Sequence, residues 1–133
     1  MRIAAIDWGL KRIGIAVSDE NKKIALPLQT VAGGKSAVSN VIQAFGSKKI
    51  ELILVGLPLL LSGKEGETSQ LVKQFAQELE QLSKIPIKLI DERFSSKLAD
   101  QSLREIHLKR KERTEMMDIT AAVILLQGYL DCL

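Results

Sequence analysis

Cysteine is nearly absent. Cys132, the residue before the last, is the only one, so no disulfide can form within the chain, and a lone thiol fits a reducing compartment. His107 is the only histidine, which leaves no Cys/His cluster of the kind that holds zinc. Aromatic residues make up 4% of the chain, too few for extended stacking of nucleobases on aromatic platforms. No apolar run reaches the length that spans a bilayer. The first residues enter a strand pattern at once, without the basic then apolar build of a signal peptide. A cytoplasmic protein with no membrane partner is expected.

What is present is ordinary for a globular domain, with 46% hydrophobic and 26% charged residues. At 133 residues the chain reads as one domain, 1–133, long enough to bury a sizeable core. The net charge of +3 and an isoelectric point near 9.1 tilt towards a polyanionic partner.

The stretch from Arg2 to Asp19 organises the rest. A short apolar run ends in Asp7, Gly9 permits a tight bend, Lys11 and Arg12 follow, and a second apolar run begins. A carboxylate where a strand stops can hold a cation, and bases beside it suit a substrate that carries phosphates. The plainer reading of Asp7 is a turn residue.

Strands are expected over about 2–7, 12–18 and 23–26, joined too tightly for crossovers and so forming an antiparallel meander. Val38, Val41, Ile42 and Phe45 recur at helical spacing and Gly46 ends that helix. Ile50 to Val55 is almost wholly apolar, the pattern of a strand buried on both faces. Residues 56–66 hold three glycines and a proline and read as a loop; Leu59, Leu60 and Leu61 within it either pack beneath it or meet a partner. Leu71, Val72, Phe75, Ala76, Leu79 and Leu82 form an amphipathic helix. Pro86 to Asp91 is a fifth strand. Ser95 or Ser96 caps a further helix. His107 to Arg113, with four bases and one acid and no apolar period, reads as an exposed linker, and a last helix runs from about Thr114 to Leu130 with Asp118 in its first turn. The order implies a mixed five-stranded sheet, a three-strand antiparallel meander continued by two right-handed crossovers into two parallel strands, flanked by helices.

In such sheets ligands gather at the carboxyl ends of the parallel strands. Asp7 and the Asp91-Glu92 pair stand at two such ends, and Asp118 joins them if the last helix crosses that edge. Carboxylates that converge repel unless a cation neutralises them, and an all-oxygen set suits Mg²⁺ or Mn²⁺. Two such ions would clamp the attacking and leaving oxygens of a phosphodiester. Each acid also has a plainer role: Asp7 in a turn, Asp91 or Glu92 paired with Arg93, Asp118 complementing a helix N-terminus. The bases Lys109, Arg110, Lys111 and Arg113 are either a solvated face or, beside a metal site, a phosphate grip.

These residues resemble the YqgF family, whose members are named pre-16S rRNA nucleases and are related to Holliday junction resolvases of the ribonuclease H-like fold. Asp7, Gly9, Lys11, Gly14 and Ala16 match its opening Asp-x-Gly-x-Lys-x-x-Gly-x-Ala pattern. Gly56, Pro58, Gly63 and Gly66 match its Gly-x-Pro loop, Asp91, Glu92 and Arg93 its Asp-Glu-Arg box, and Asp118, Ala121 and Ala122 its Asp-x-x-Ala-Ala helix. The match runs through essentially the whole chain. It implies a ribonuclease H-like α/β fold, Asp7, Glu92 and Asp118 as the catalytic and metal-holding triad, Arg93 among the substrate contacts, and a metal-dependent endonuclease in 5′-end maturation of the pre-16S rRNA. Leu60 and Ser62 stand where the family often carries Asn and Asp, which takes polar contacts away from that loop, and Glu115 stands where a base is frequent.

A Holliday junction resolvase acting on structured DNA needs the same carboxylates and grips. A dimer with two sites would favour that substrate; monomer and homodimer are both open. A non-catalytic RNA-binding factor of ribosome assembly is the other class, against which the intact triad and few aromatics argue. Asp-x-Gly at a strand end also opens the phosphate loop of actin-like ATPases, but 133 residues hold no second lobe.

Overall fold

A computed structural model of the chain describes residues 1–58, 66–91 and 110–133, the stretch 110–118 by its backbone alone. Its elements are β1 (Arg2–Asp7), β2 (Arg12–Ser18), β3 (Ala25–Ala32), α1 (Ala37–Phe45), β4 (Ile50–Leu57), α2 (Glu67–Ser83), β5 (Ile87–Asp91) and α3 (Arg110–Leu130). The strands form one sheet in the order β3-β2-β1-β4-β5. β1 pairs antiparallel with β2 and β2 with β3, whereas β1–β4 and β4–β5 are parallel. This is the expected meander with two parallel additions. The helix expected after Ser95-Ser96 and the leucines 59–61 lie outside the described residues.

Alternation along the strands sorts the core into two layers. Ala4, Ile6, Ile13, Ile15, Val17, Ile53 and Val55 face α1 and α2, with Val41, Phe45, Val72, Phe75 and Leu79 packed on them. Ile3, Ala5, Ala16 and Leu54 face the other way, against Ala122, Leu125, Leu126 and Leu130 of α3. On β2 the division is by size. Its large apolar side chains, Ile13, Ile15 and Val17, lie on the two-helix side, while beyond Arg12 the opposite parity holds only Gly14, Ala16 and Ser18, so α3 rests on a floor of small residues.

The third strand begins at Ala25 and runs to Ala32, later and longer than the expected 23–26. Asp19 is the reason for the late start: its Oδ1 accepts the amides of Lys23 at 2.8 Å and Ile24 at 2.9 Å, drawing both residues into the turn. The strand continues past Pro27 because β3 is an edge, where a missing N–H is tolerated, and its pairing shifts register between Ile15 and Ala16, opposite Gln29 and Pro27. β4 likewise extends through Gly56 and Leu57, which the sequence assigns to the loop. Along α2 the buried stripe is Val72, Phe75, Ala76 and Leu79; Leu71 and Leu82 fall outside it and stay exposed.

The last helix begins at Arg110, not near Thr114, so Arg110, Lys111 and Arg113 belong to its first turn and not to a linker. Arg, Lys and Glu are good helix formers, so a missing apolar period does not exclude a helix. Asp118 therefore lies in the third turn. The dipole effect fades within the first, so complementation of the helix N-terminus does not explain this acid.

Candidate active site

Asp7 closes β1 and is 7% exposed. Its parity is that of Ile3 and Ala5, which places it on the α3 side of the sheet. Trp8 turns to the opposite side, where its ring meets Phe75 at 6.5 Å between centroids. Asp7 stands opposite Gly14 on β2. On its other flank, β4 follows Val55, the partner of Ile6, with Gly56, itself paired with Ile90. Both neighbours at the level of the carboxylate are thus buried glycines, and neither places a side chain beside it. Glycine within a strand marks a close approach of a ligand or another backbone. The sequence carried that signal at Gly14 and Gly56, read there only as motif and loop positions.

Asp91 ends β5 opposite Leu57 and is exposed. It shares the parity of Ile87, which packs on the two-helix layer, whereas Ile90 packs on the α3 layer. Asp91 is therefore on the far side of the sheet from Asp7. Glu92, Arg93 and Lys109 lie outside the described residues.

The C-terminal half of α3 is pinned near the amino end of β1. Gln127 Nε2 donates to the Lys23 carbonyl at 3.0 Å, and Gln127 Oε1 accepts the Ala25 N–H at 2.9 Å. Ala25 pairs with Ser18, whose hydroxyl accepts the Ile3 amide at 2.9 Å. Asp118 precedes Gln127 in the same helix, separated from it by about 13 Å of helix rise at 1.5 Å per residue. That is close to the roughly 13 Å that an extended strand covers in four residues, the interval from Ile3 to Asp7.

Lys11 is exposed in the β1–β2 turn and Arg12, half-buried, opens β2. The turn is tight enough that a Cβ on Gly9 would lie 2.6 Å from the Arg12 carbonyl oxygen. The two described carboxylates held below their ordinary range sit at the other end of the sheet: Asp19, through the amides of Ile24 and Lys23, and Glu51, through a hydrogen bond from Lys22. Among the described residues no three His, Cys, Asp or Glu side chains are grouped to hold a metal ion; Glu92 and the Asp118 side chain fall outside that set. The donors that the sequence offers are hard carboxylate oxygens, which suit Mg²⁺ or Mn²⁺.

A family model described as "RuvX: Holliday junction resolvase" matches residues 1–132. A relative from Protochlamydia amoebophila, named "Putative pre-16S rRNA nuclease", is 47% identical, covering 98% of this chain and 93% of its own length. One of the same name from Rhodobacter capsulatus is 38% identical over 97% and 82%. Among solved structures, the Fowlpox virus resolvase with Holliday junction DNA superposes with a TM-score of 0.60 at 16% identity, covering 99% of this chain and 98% of that one. T. thermophilus RuvC with a Holliday junction substrate gives 0.59 at 15%, covering 99% and 95%. These likenesses carry the fold, a ribonuclease H-like mixed sheet. With a family model matched from end to end and relatives this similar, the chain belongs to the RuvX (YqgF) family.

Proposed function

We propose that the chain is a metal-dependent endonuclease that hydrolyses phosphodiester bonds in 5′-end maturation of the pre-16S rRNA, with Asp7, Glu92 and Asp118 as its catalytic carboxylates. The observation that carries this reading is Asp7 itself, a buried carboxylate at the carboxyl end of β1, flanked on its own face by Gly14 and Gly56. A merely turn-forming aspartate needs neither burial nor bare flanks. Of the Asp-Glu pair, Asp91 shares the parity of Ile87, away from Asp7's side, which supports taking Glu92 and not Asp91 as the carboxylate of the site. Asp118 is supported by the anchoring of α3 at Gln127 and by its place beyond the first turn.

The three carboxylates would hold Mg²⁺ or Mn²⁺. Such an ion, when bound, offsets their repulsion and the charge that develops on the phosphate during attack by water. The chain's own bases do the rest. Lys11 and Arg12 beside Asp7, with Arg93 and Lys109, bind backbone phosphates. Arg110, Lys111 and Arg113 act in the first turn of α3, where free amides already favour anions. Bases there oppose the helix's own dipole, so their presence fits a polyanion partner better than helix stability.

The family description favours a second reading, a resolvase of four-way DNA junctions with the same carboxylates. Cleavage of a pre-16S RNA 5′ segment and of a four-way junction, in parallel with Mg²⁺ or Mn²⁺, tests both. The expected result is RNA cleavage that is lost in Asp7→Asn. Cleavage of the junction alone would shift the substrate to DNA, and cleavage of neither would leave the binding-factor class.

A further inference from the structure

Gly33 is packed tightly against the β1–β2 turn. A Cβ there would lie 2.5 Å from the carbonyl oxygen of Leu10 and 2.9 Å from that of Gly9, distances that real Cβ atoms do not reach. Its N–H donates to the Lys11 carbonyl at 3.0 Å. Gly33 therefore stands opposite Lys11, one step past the Arg12–Ala32 pair that ends the β2–β3 ladder. The turn that follows Asp7 is clamped, backbone on backbone, to the loop that leads into α1.

That clamp brings a base to the corner that the sequence reading left out. Lys35 follows Gly33 by two residues, so their Cα atoms are at most about 7 Å apart. It is exposed, and with Trp8, Gly34, Gln74, Phe75 and Glu78 it lines a cavity of about 190 Å³. Trp8 is the residue after Asp7. Among the described residues neither Lys11 nor Lys35 has an ion-pair partner, and α1 has no acid in its first turn. Glu78 is the acid facing this corner. Both lysines are exposed, so both are open to the phosphates of a polyanion at this corner.

We infer that Gly33 is a positioning residue for the Asp7 turn, and that its clamp makes Lys11 and Lys35 one two-lysine grip for the nucleic-acid backbone running past the carboxylate. This inference rests on the nuclease reading above. It adds a contact on the Trp8 side of the sheet edge, opposite in direction to the first turn of α3. A bound strand then crosses the edge, gripped on both sides of Asp7.

The test is the salt dependence of binding, read by fluorescence anisotropy without divalent ions, on a labelled single-stranded RNA and a four-way DNA junction. Each lost phosphate contact lowers the log–log slope by about 0.7 on a single strand. Lys35→Ala should lose that increment and several-fold in affinity at low salt, with unchanged thermal unfolding, and Lys35→Arg should restore both. Lys48→Ala, exposed ahead of β4 at the far end of the sheet, should match wild type. Gly33→Ala should lose more slope than Lys35→Ala, since both lysines move. If that variant does not fold, the lysine variants decide. A wild-type slope in Lys35→Ala, or an equal loss in Lys48→Ala, overturns the grip while leaving the nuclease reading intact. Wild-type protein that binds neither nucleic acid overturns both.

Discussion

Asp7 and Gly14 stand opposite each other across the β1–β2 ladder, on the side of the sheet that α3 covers. The pairing gives the carboxylate a neighbour without a side chain. A methyl group at position 14 would occupy that space. Gly14→Ala should cut cleavage at least about 10-fold, within the range seen when groups around a metal ligand are disturbed, with nucleic-acid binding retained. Asp7→Asn, which removes a proposed ligand outright, should cost about 100-fold or more on the same scale. Parallel cleavage and anisotropy titrations check both; full activity in Gly14→Ala would mean that the space beside Asp7 is not used.

Asp118→Asn separates ligand from bystander. With α3 starting at Arg110, no dipole contribution is at stake, so the variant should unfold in EDTA at the wild-type temperature or slightly above it. The upward shift that Mg²⁺ produces in wild type should shrink, and cleavage should fall with it. Thermal unfolding with and without Mg²⁺ reads this directly. An unchanged Mg²⁺ shift with wild-type cleavage removes Asp118 from the site.

Gln127→Ala tests the anchor of α3. It strips the Ala25 N–H and the Lys23 carbonyl of their partner. One half-buried amide left unpaired costs about 1–3 kcal/mol, so urea unfolding should show a loss in that range. Because the anchor sets where α3 lies on the sheet, cleavage should fall further than stability alone accounts for.

The Asp19 turn has a pH signature. Amides from Ile24 and Lys23 hold its carboxyl below the usual range, so the folded state favours the ionised form. The stability this contributes is present above the ordinary aspartate pKa and disappears as pH falls through the lowered one. Asp19→Ala should be less stable than wild type at neutral pH, and the two unfolding curves should converge below about pH 4. A gap that is constant with pH would show that the carboxylate's charge plays no part.

Much of this architecture is legible in the residues alone. The apolar runs of β1 and β4 are long enough, and the connections short enough, to dictate a meander with parallel additions. The boundaries that moved did so for local reasons. Asp19 captures two amides that a strand pattern assigns to β3, and the basic turn of α3 is helical by propensity although it carries no apolar period. The carboxylate at Asp7 is visible as a strand end. The residues alone name Glu92 only through the family resemblance; that Asp91 lies across the sheet from Asp7 needs the parity of β5, which the packing of Ile87 and Ile90 reveals. The Gly33 clamp is invisible in sequence, because its partners, Gly9 and Leu10, are brought to it by the β2–β3 pairing and not by any spacing in the chain.

The two-sided alternation of β1 and β2 limits how this family can vary in length. Inserting or deleting one residue between Ile3 and Asp7 would turn the carboxylate to the two-helix side and bring Trp8 under α3, since every side chain of a strand changes face together. The same edit in β2 would push Ile13 and Ile15 into the floor of small residues on which α3 rests. Length changes are therefore confined to places where no register is carried, such as the Glu20–Asn21 turn tip or the Ser47–Lys49 connection. An alignment of relatives should show gaps there and none between Ile3 and Asp7 or between Ile13 and Val17.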